Sequence, residues 1–323
     1  MARYTIERGY KKKSVKGNPK AALIFIAFII SLVTVGLHYP IGSKETPVSE
    51  KVSALPQESL KITEPLPWPT YGQAAYGVNG DGVLAVSDDT SKPVPMASLA
   101  KVITALAIMQ EKPLKAGEEG PLITFTDEDV SSYNDYLAKD GSVTLVEVNK
   151  QMTQRQAMQA MLMQSSNNMA DTLARWAFGS IDNYSNYANK MLNELGMTQT
   201  AVGDDASGFS PKNISTAHEL TQLGLAYMKN PVLAEIAKSP DLTLPVAGPV
   251  RNYNSVANKE GLVGVKVGNT DEAGRCFIMA NVRGDTISVV TVLGADHLAT
   301  AIADAEKLLS VGDKAYDQLP KSN

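Results

Sequence analysis

The chain predicts an α+β fold built on an antiparallel sheet, and three observations carry that expectation. A hairpin opens the folded part, a block of helical patterns follows, and three consecutive strands with a final helix close it. Strands grouped at the two ends, rather than alternating with helices, point to antiparallel pairing.

Each element has its own signal. Residues 73–78 and 82–87 are apolar runs flanking Asn79-Gly-Asp-Gly82, a strong turn sequence for a hairpin. From Ser98 to Met109 apolar residues recur at helical spacing, with Pro95 just upstream, so a buried helix starts near Ser98. Residues 113–145 are rich in Gly and Asp and read as turns and short strands. A helical pattern covers 153–179, broken by the polar cluster Gln164-Ser-Ser-Asn-Asn168, and further helices are expected over 183–196 and 215–229. Strands at 263–267, 275–282 and 286–293 form a meander, and a last helix is expected over 298–309.

Composition narrows the function classes. The 323 residues are 44% apolar and 20% charged, as in ordinary globular proteins. Residues 1–20 hold seven Lys and Arg against one Glu, a net of +6, so the overall charge of −4 leaves −10 on the remainder. An acidic body argues against a nucleic-acid partner. One cysteine, Cys276, allows no internal disulfide and no cysteine metal cage, and His38, His218 and His297 lack metal-ligand spacing. No cofactor or metal is expected.

Behind the basic head, residues 21–38 carry no charged side chain, near the short end of what spans a bilayer. Lysines on the amino side alone place that side in the cytoplasm and the rest outside. A cleaved secretory signal is the alternative; the length of the apolar run and the lack of a small-x-small site after it favour a retained anchor. Residues 39–70, with six prolines, read as an extended spacer. The expected organisation is a head (1–20), an anchor (21–38), a spacer (39–70), a folded domain (71–312) and a tail (313–323).

Three polar clusters carry the chemistry. Ser98-Leu-Ala-Lys101 puts an amine and a hydroxyl three apart on one helix face, where a desolvated, neutral lysine can take the serine proton. Its ordinary explanation is a capping serine and a snorkelling lysine. Ser165-Ser166-Asn167 interrupts an apolar helical segment, and its ordinary explanation is a helix cap between two helices. Lys266-Val267-Gly268 lies on a strand, where an edge lysine and a bulge glycine are common.

The order Ser-x-x-Lys, Ser-x-Asn, Lys-x-Gly resembles the signature of the penicillin-recognising serine acyl-transferases. More closely, the chain is similar to the low-molecular-weight D-alanyl-D-alanine carboxypeptidases and endopeptidases of peptidase family S11. The stretches that carry this are Met96-Ala-Ser-Leu-Ala-Lys101, Ser165-Ser-Asn-Asn-Met-Ala-Asp171, the segment from Asp205 to Ala217, Asn252-Tyr-Asn254, and the segment from Gly264 to Cys276. The resemblance implies a five-stranded antiparallel sheet flanked by helices, a mostly helical subdomain, and an active site between them. It implies cleavage of D-Ala-D-Ala or D-Ala cross-link bonds in peptidoglycan stem peptides through an acyl-enzyme on Ser98, and covalent inhibition by β-lactam antibiotics. Lys101 is then the general base, its pKa lowered by the Lys266 cation and partial desolvation. Ser165 relays a proton to the leaving amine and Asn167 orients Lys101 and substrate. The backbone N–H groups of Ser98 and Asn269 form the oxyanion hole, and Gly268 lets substrate backbone approach.

Two departures stand out. Ser166-Asn167-Asn168 is also a Ser-x-Asn, although the register Ser165/Asn167 is preferred. Val267 stands where the family has a threonine whose hydroxyl binds the terminal carboxylate; Thr270 is a substitute hydroxyl only with a different substrate pose. Val267 therefore motivates a rival reading, a non-catalytic cell-wall-binding module. A serine β-lactamase is the other rival, with Glu194 alone available in residues 179–196 as deacylating base.

Overall fold

The computed structural model describes residues 60–87, 90–256 and 261–320, so the predicted head and membrane anchor lie outside the described residues. Among the described residues no helix is long and apolar enough to cross a membrane.

The predicted hairpin forms β1 (Gln73–Val78) and β2 (Gly82–Val86), and the meander forms β3 (Leu262–Thr270), β4 (Gly274–Arg283) and β5 (Thr286–Ala295). They join in one five-stranded sheet, order β2-β1-β5-β4-β3, with every pair antiparallel. The α+β expectation is therefore met, and β3 is an edge strand. The sheet separates two cores, and period-2 alternation sends neighbouring residues to opposite ones. Phe277, Met279, Val290 and Val292 enter one cluster, whereas Cys276, Ile278 and Val289 enter the other. With both faces covered, the strands read as continuous apolar runs.

The helix α8 (Leu298–Asp317) closes the first core with Ala301, Ala305, Leu308 and Leu309. It runs past the expected end at 309, where Tyr76 of β1, buried in the same core, donates its hydroxyl to the buried Asp313 at 2.8 Å. The predicted tail is thus partly helix. The proline-rich segment also departs from expectation: Ile62 N–H donates to the Leu84 carbonyl at 3.1 Å and Leu66 is buried, so residues from 60 onward belong to the folded domain.

The second core holds the remaining helices. A 3₁₀ turn, Ala97–Leu99, leads into α1 (Ala100–Glu111), slightly later than the sequence indicates. Then come α2 (Asp127–Leu137), α3 (Gln154–Met163), α4 (Asn167–Phe178), α5 (Ile181–Glu194), α6 (Ala217–Lys229) and α7 (Pro231–Lys238). Helices α2 and α7 go beyond the sequence expectation. Every residue of α1 from Ala100 to Met109 is buried, as an apolar pattern on all sides requires. That burial places a lysine and a threonine, Lys101 and Thr104, deep inside the protein.

Candidate active site

Ser98 sits half-buried in the 3₁₀ turn, and the first turn of α1 brings Lys101 back over it, with Nζ and Ser98 Oγ in hydrogen-bond contact at 2.9 Å. Ala97, just before the serine, holds φ = 48°, and Ser165 holds φ = 59°. Left-handed backbone at a non-glycine residue costs on the order of 1–3 kcal/mol and collects at functional sites. Here two such residues flank one cluster.

The break between α3 and α4 supplies the second group. The Asn167 Oδ1 accepts from Lys101 Nζ at 2.7 Å, and Ser165 Oγ accepts from Lys266 Nζ at 3.0 Å. Ser166 points elsewhere, its hydroxyl capping α4 at Met169 N–H and donating to Asn168 Oδ1 at 2.8 Å. Asn168 in turn pairs with both backbone groups of Thr144, each at 2.9 Å. The geometry therefore assigns Ser165 and Asn167 to the cluster and Ser166 and Asn168 to the scaffold.

The edge strand β3 brings the third group. Lys266 is fully buried, and its ammonium also donates to the Val267 carbonyl at 2.9 Å. Gly268 backs onto the turn that carries Ser98, where a Cβ would lie 3.2 Å from Ala97 Cβ and 3.3 Å from Ser98 N. Val267 N–H points off the open edge of the sheet, into Asn254 Oδ1 at 2.9 Å. Because the register is regular from Val267 to Thr270, the N–H of Asn269, two residues on, faces the same open edge. The Val267 side chain packs with the Phe277 cluster. The Thr270 hydroxyl accepts from Ala273 N–H at 3.2 Å, closing the turn between β3 and β4.

The electrostatics correct one expectation. Burial, not the Lys266 charge, is what brings Lys101 down to about 7, against the upward pull of the buried carboxylates Asp205 and Asp171. Burial also holds Lys266 well below the usual lysine range, and there the neighbouring Lys101 charge adds to the effect. Asp171 is pushed up to about 6 by its own burial.

Several residues around the cluster had no role assigned from sequence. Ser207 offers its carbonyl to Lys101 Nζ at 2.8 Å. Asn254 bridges the end of α3 to β3, donating to Leu162 O at 2.9 Å while receiving Val267 N–H. Glu194, the one residue offered as a β-lactamase base, lies on the exposed face of α5 beside Lys190. Among the described residues no group of three or more His, Cys, Asp or Glu converges as a metal site.

Comparison with known proteins places this chain in a family. The family model for D-alanyl-D-alanine carboxypeptidase, peptidase S11, matches residues 77–297. The chain belongs to peptidase family S11. It is therefore a serine-type D-alanyl-D-alanine carboxypeptidase/endopeptidase of the low-molecular-weight penicillin-binding group. A D-alanyl-D-alanine endopeptidase of Pseudomonas aeruginosa is 29% identical, over 87% of this chain and 86% of that one. An Escherichia coli D-alanyl-D-alanine endopeptidase is 26% identical, over 66% and 68%. Among solved structures, the D-alanyl-D-alanine carboxypeptidase of Mycobacterium tuberculosis superposes with a TM-score of 0.67 at 23% identity, covering 81% of this S11 peptidase and 97% of that chain. Penicillin-binding protein D2 of Listeria monocytogenes, in its ampicillin-bound form, gives 0.63 at 25% identity, covering 77% and 100%.

Proposed function

We propose that this protein is a membrane-tethered DD-peptidase that cleaves D-Ala bonds of peptidoglycan stem peptides through an acyl-enzyme on Ser98, with cross-links as the preferred target. One observation carries the mechanism. The Lys101 amine touches three oxygens, and two of them, the Asn167 amide oxygen and the Ser207 carbonyl, can only accept. A neutral amine has two N–H bonds and one lone pair. The two acceptors take both N–H bonds, which leaves the lone pair on the Ser98 hydroxyl, the arrangement a general base needs.

In acylation, Ser98 Oγ attacks the D-Ala carbonyl carbon as its proton passes to Lys101 Nζ. The carbonyl oxygen gathers charge between the N–H groups of Ser98 and Asn269. The C–N bond breaks, and the leaving amine receives a proton through Ser165, whose hydroxyl is held by Lys266. Water hydrolyses the resulting ester. β-Lactams acylate the same serine.

The preference for cross-links rests on Val267. A valine cannot hydrogen-bond a terminal carboxylate, and losing a hydrogen bond to a charged group costs about 1.5–3 kcal/mol, roughly 10- to 150-fold. The endopeptidase names of two relatives agree with this. Val267 also favours the second reading, a wall-binding module without turnover. The uncharged stretch at 21–38 is the proposed anchor, with the amino terminus cytoplasmic and the catalytic domain outside.

Digestion of a muropeptide mixture by the full chain, read by mass spectrometry, tests the proposal. Cross-linked dimers should convert to monomers faster than pentapeptide loses D-alanine, and Val267→Thr should raise D-alanine release. Rapid D-alanine release by the wild type, unchanged in the variant, would refute the specificity, and no product at all would favour the binding module.

A further inference from the structure

Behind Lys101 lie two buried carboxylates that touch no part of the nucleophile–base pair. Asp205 heads a tight loop. Its Oδ1 accepts from the N–H and hydroxyl of Ser207, at 2.7 and 2.6 Å, and from Phe209 N–H at 3.1 Å. Its Oδ2 accepts from Ser210 N–H at 2.9 Å and Asn213 Nδ2 at 2.8 Å. Asp171, one helical turn beyond Asn167 on α4, accepts Ala206 N–H at 3.0 Å and the Tyr136 hydroxyl at 2.8 Å. The Ala206 carbonyl accepts from Thr104 Oγ1 of α1 at 2.6 Å.

The Ala206–Ser207 segment is thus fixed from three sides, and its remaining acceptor, the Ser207 carbonyl, meets the Lys101 amine. The next residue, Gly208, has φ = 78° and lies so close to the nucleophile turn that a Cβ would stand 1.9 Å from the Ala97 carbonyl oxygen. The loop therefore touches the turn carrying the nucleophile and the amine of the base at once.

We propose that Asp205 and Asp171 are the positioning residues of the general base: they lock the Ala206–Ser207 segment so that its carbonyl claims one N–H of Lys101 and the amine's lone pair stays on Ser98. This rests on the reading of Lys101 as base. Without the Ser207 acceptor the amine is free to turn an N–H toward Ser98, which cannot abstract a proton. The carboxylates also face the amine electrostatically. The charged groups acting on Lys101 and its pair are Asp171 from α4, Asp205 from the loop and Lys266 from β3, while Asp171 itself faces Tyr136 of α2 and Arg175 of its own helix.

The test is the acylation rate constant of the full chain with a fluorescent penicillin, measured from about pH 5 to about pH 9, for the wild type, Asp205→Asn and Asp205→Glu. Asp205→Asn should lower the alkaline plateau by about tenfold or more, since small misplacements of reacting groups cost up to about a hundredfold. It should also move the acid limb to lower pH, because a negative charge that holds the proton on Lys101 is gone. Asp205→Glu, which restores the charge but not the loop's fit, should return the limb and only part of the plateau. A merely structural role lowers the amount of active protein and leaves the limb in place.

A folded Asp205→Asn variant with the wild-type plateau and limb overturns the proposal. If that variant does not melt cooperatively, Asp171→Asn decides. Its amide oxygen keeps an acceptor for Ala206 N–H, while its NH2 group replaces the oxygen that accepts the Tyr136 hydroxyl and can donate to that hydroxyl instead. The charge is lost with the Ala206 contact kept, so a limb moved to lower pH supports the proposal and an unmoved limb overturns it. A wild type that is not labelled would refute Ser98 acylation itself, a separate outcome.

Discussion

A base that works only when neutral should impose a titration on the reaction, and Lys101 offers one within reach. Burial brings its pKa to about 7, so the amine is mostly neutral above that pH and mostly protonated below it. The sign follows directly: acylation should rise through pH 7 and level off on the alkaline side. Below the midpoint the neutral fraction falls about tenfold per pH unit, leaving roughly 1% of the plateau rate two units down. A penicillin with no group titrating in this window, reporting by fluorescence, isolates the acylation step. Lys101→Arg sharpens the result. A guanidinium stays protonated throughout, so the variant should lose about 10²- to 10⁴-fold and show no recovery as pH rises. A profile flat from about pH 5 to about pH 9, or an arginine variant close to wild type, would refute the assignment.

Two further perturbations probe the site's cost and fit. Lys266→Met should abolish acylation yet raise Tm by about 2–4 °C, the equivalent of about 1 kcal/mol, because it removes an amine whose burial disfavours the protonated form that the unfolded chain keeps. The same burial means the wild type should gain stability as pH rises above neutrality, where the unfolded chain still holds protons on both lysines and the folded chain sheds them. Calorimetry across pH checks both. Gly208→Ala should destabilise by about 3 kcal/mol or more, since its φ is left-handed and the new methyl would overlap the Ala97 carbonyl; a wild-type melting curve would contradict the contact.

Much of this molecule was legible in its sequence where side-chain type and spacing did the work. The five strands showed because each lies between two cores and so carries apolar residues on both faces. The cluster showed because Ser-x-x-Lys, Ser-x-Asn and Lys-x-Gly, each ordinary alone, follow one another in the order of the signature that the chain resembles. What stayed hidden has physical reasons. Helix α2 is polar on most of its surface, with Asp129 its only buried residue; its start is marked by that carboxylate, which takes both the N–H and hydroxyl of Thr126 at 2.8 Å. Helix α7 likewise announces itself through Asn230, which caps two N–H groups, and Pro231 behind it. Leu66 was masked by surrounding prolines that read as a spacer. The Lys101 environment was misjudged because its burial comes from α1 being apolar on every side, which outweighs a neighbouring charge. Ser207 acts through a backbone carbonyl, and no residue type marks a carbonyl.

The central claim is that Ser98 is the acylated nucleophile. Incubating the full chain with benzylpenicillin and measuring intact mass, then mapping the adduct by peptide mass spectrometry, tests it most directly. One added drug mass, confined to the peptide containing Ser98 and absent from Ser98→Ala, is the expected result. No adduct at saturating drug, or an adduct on another residue, would contradict the account.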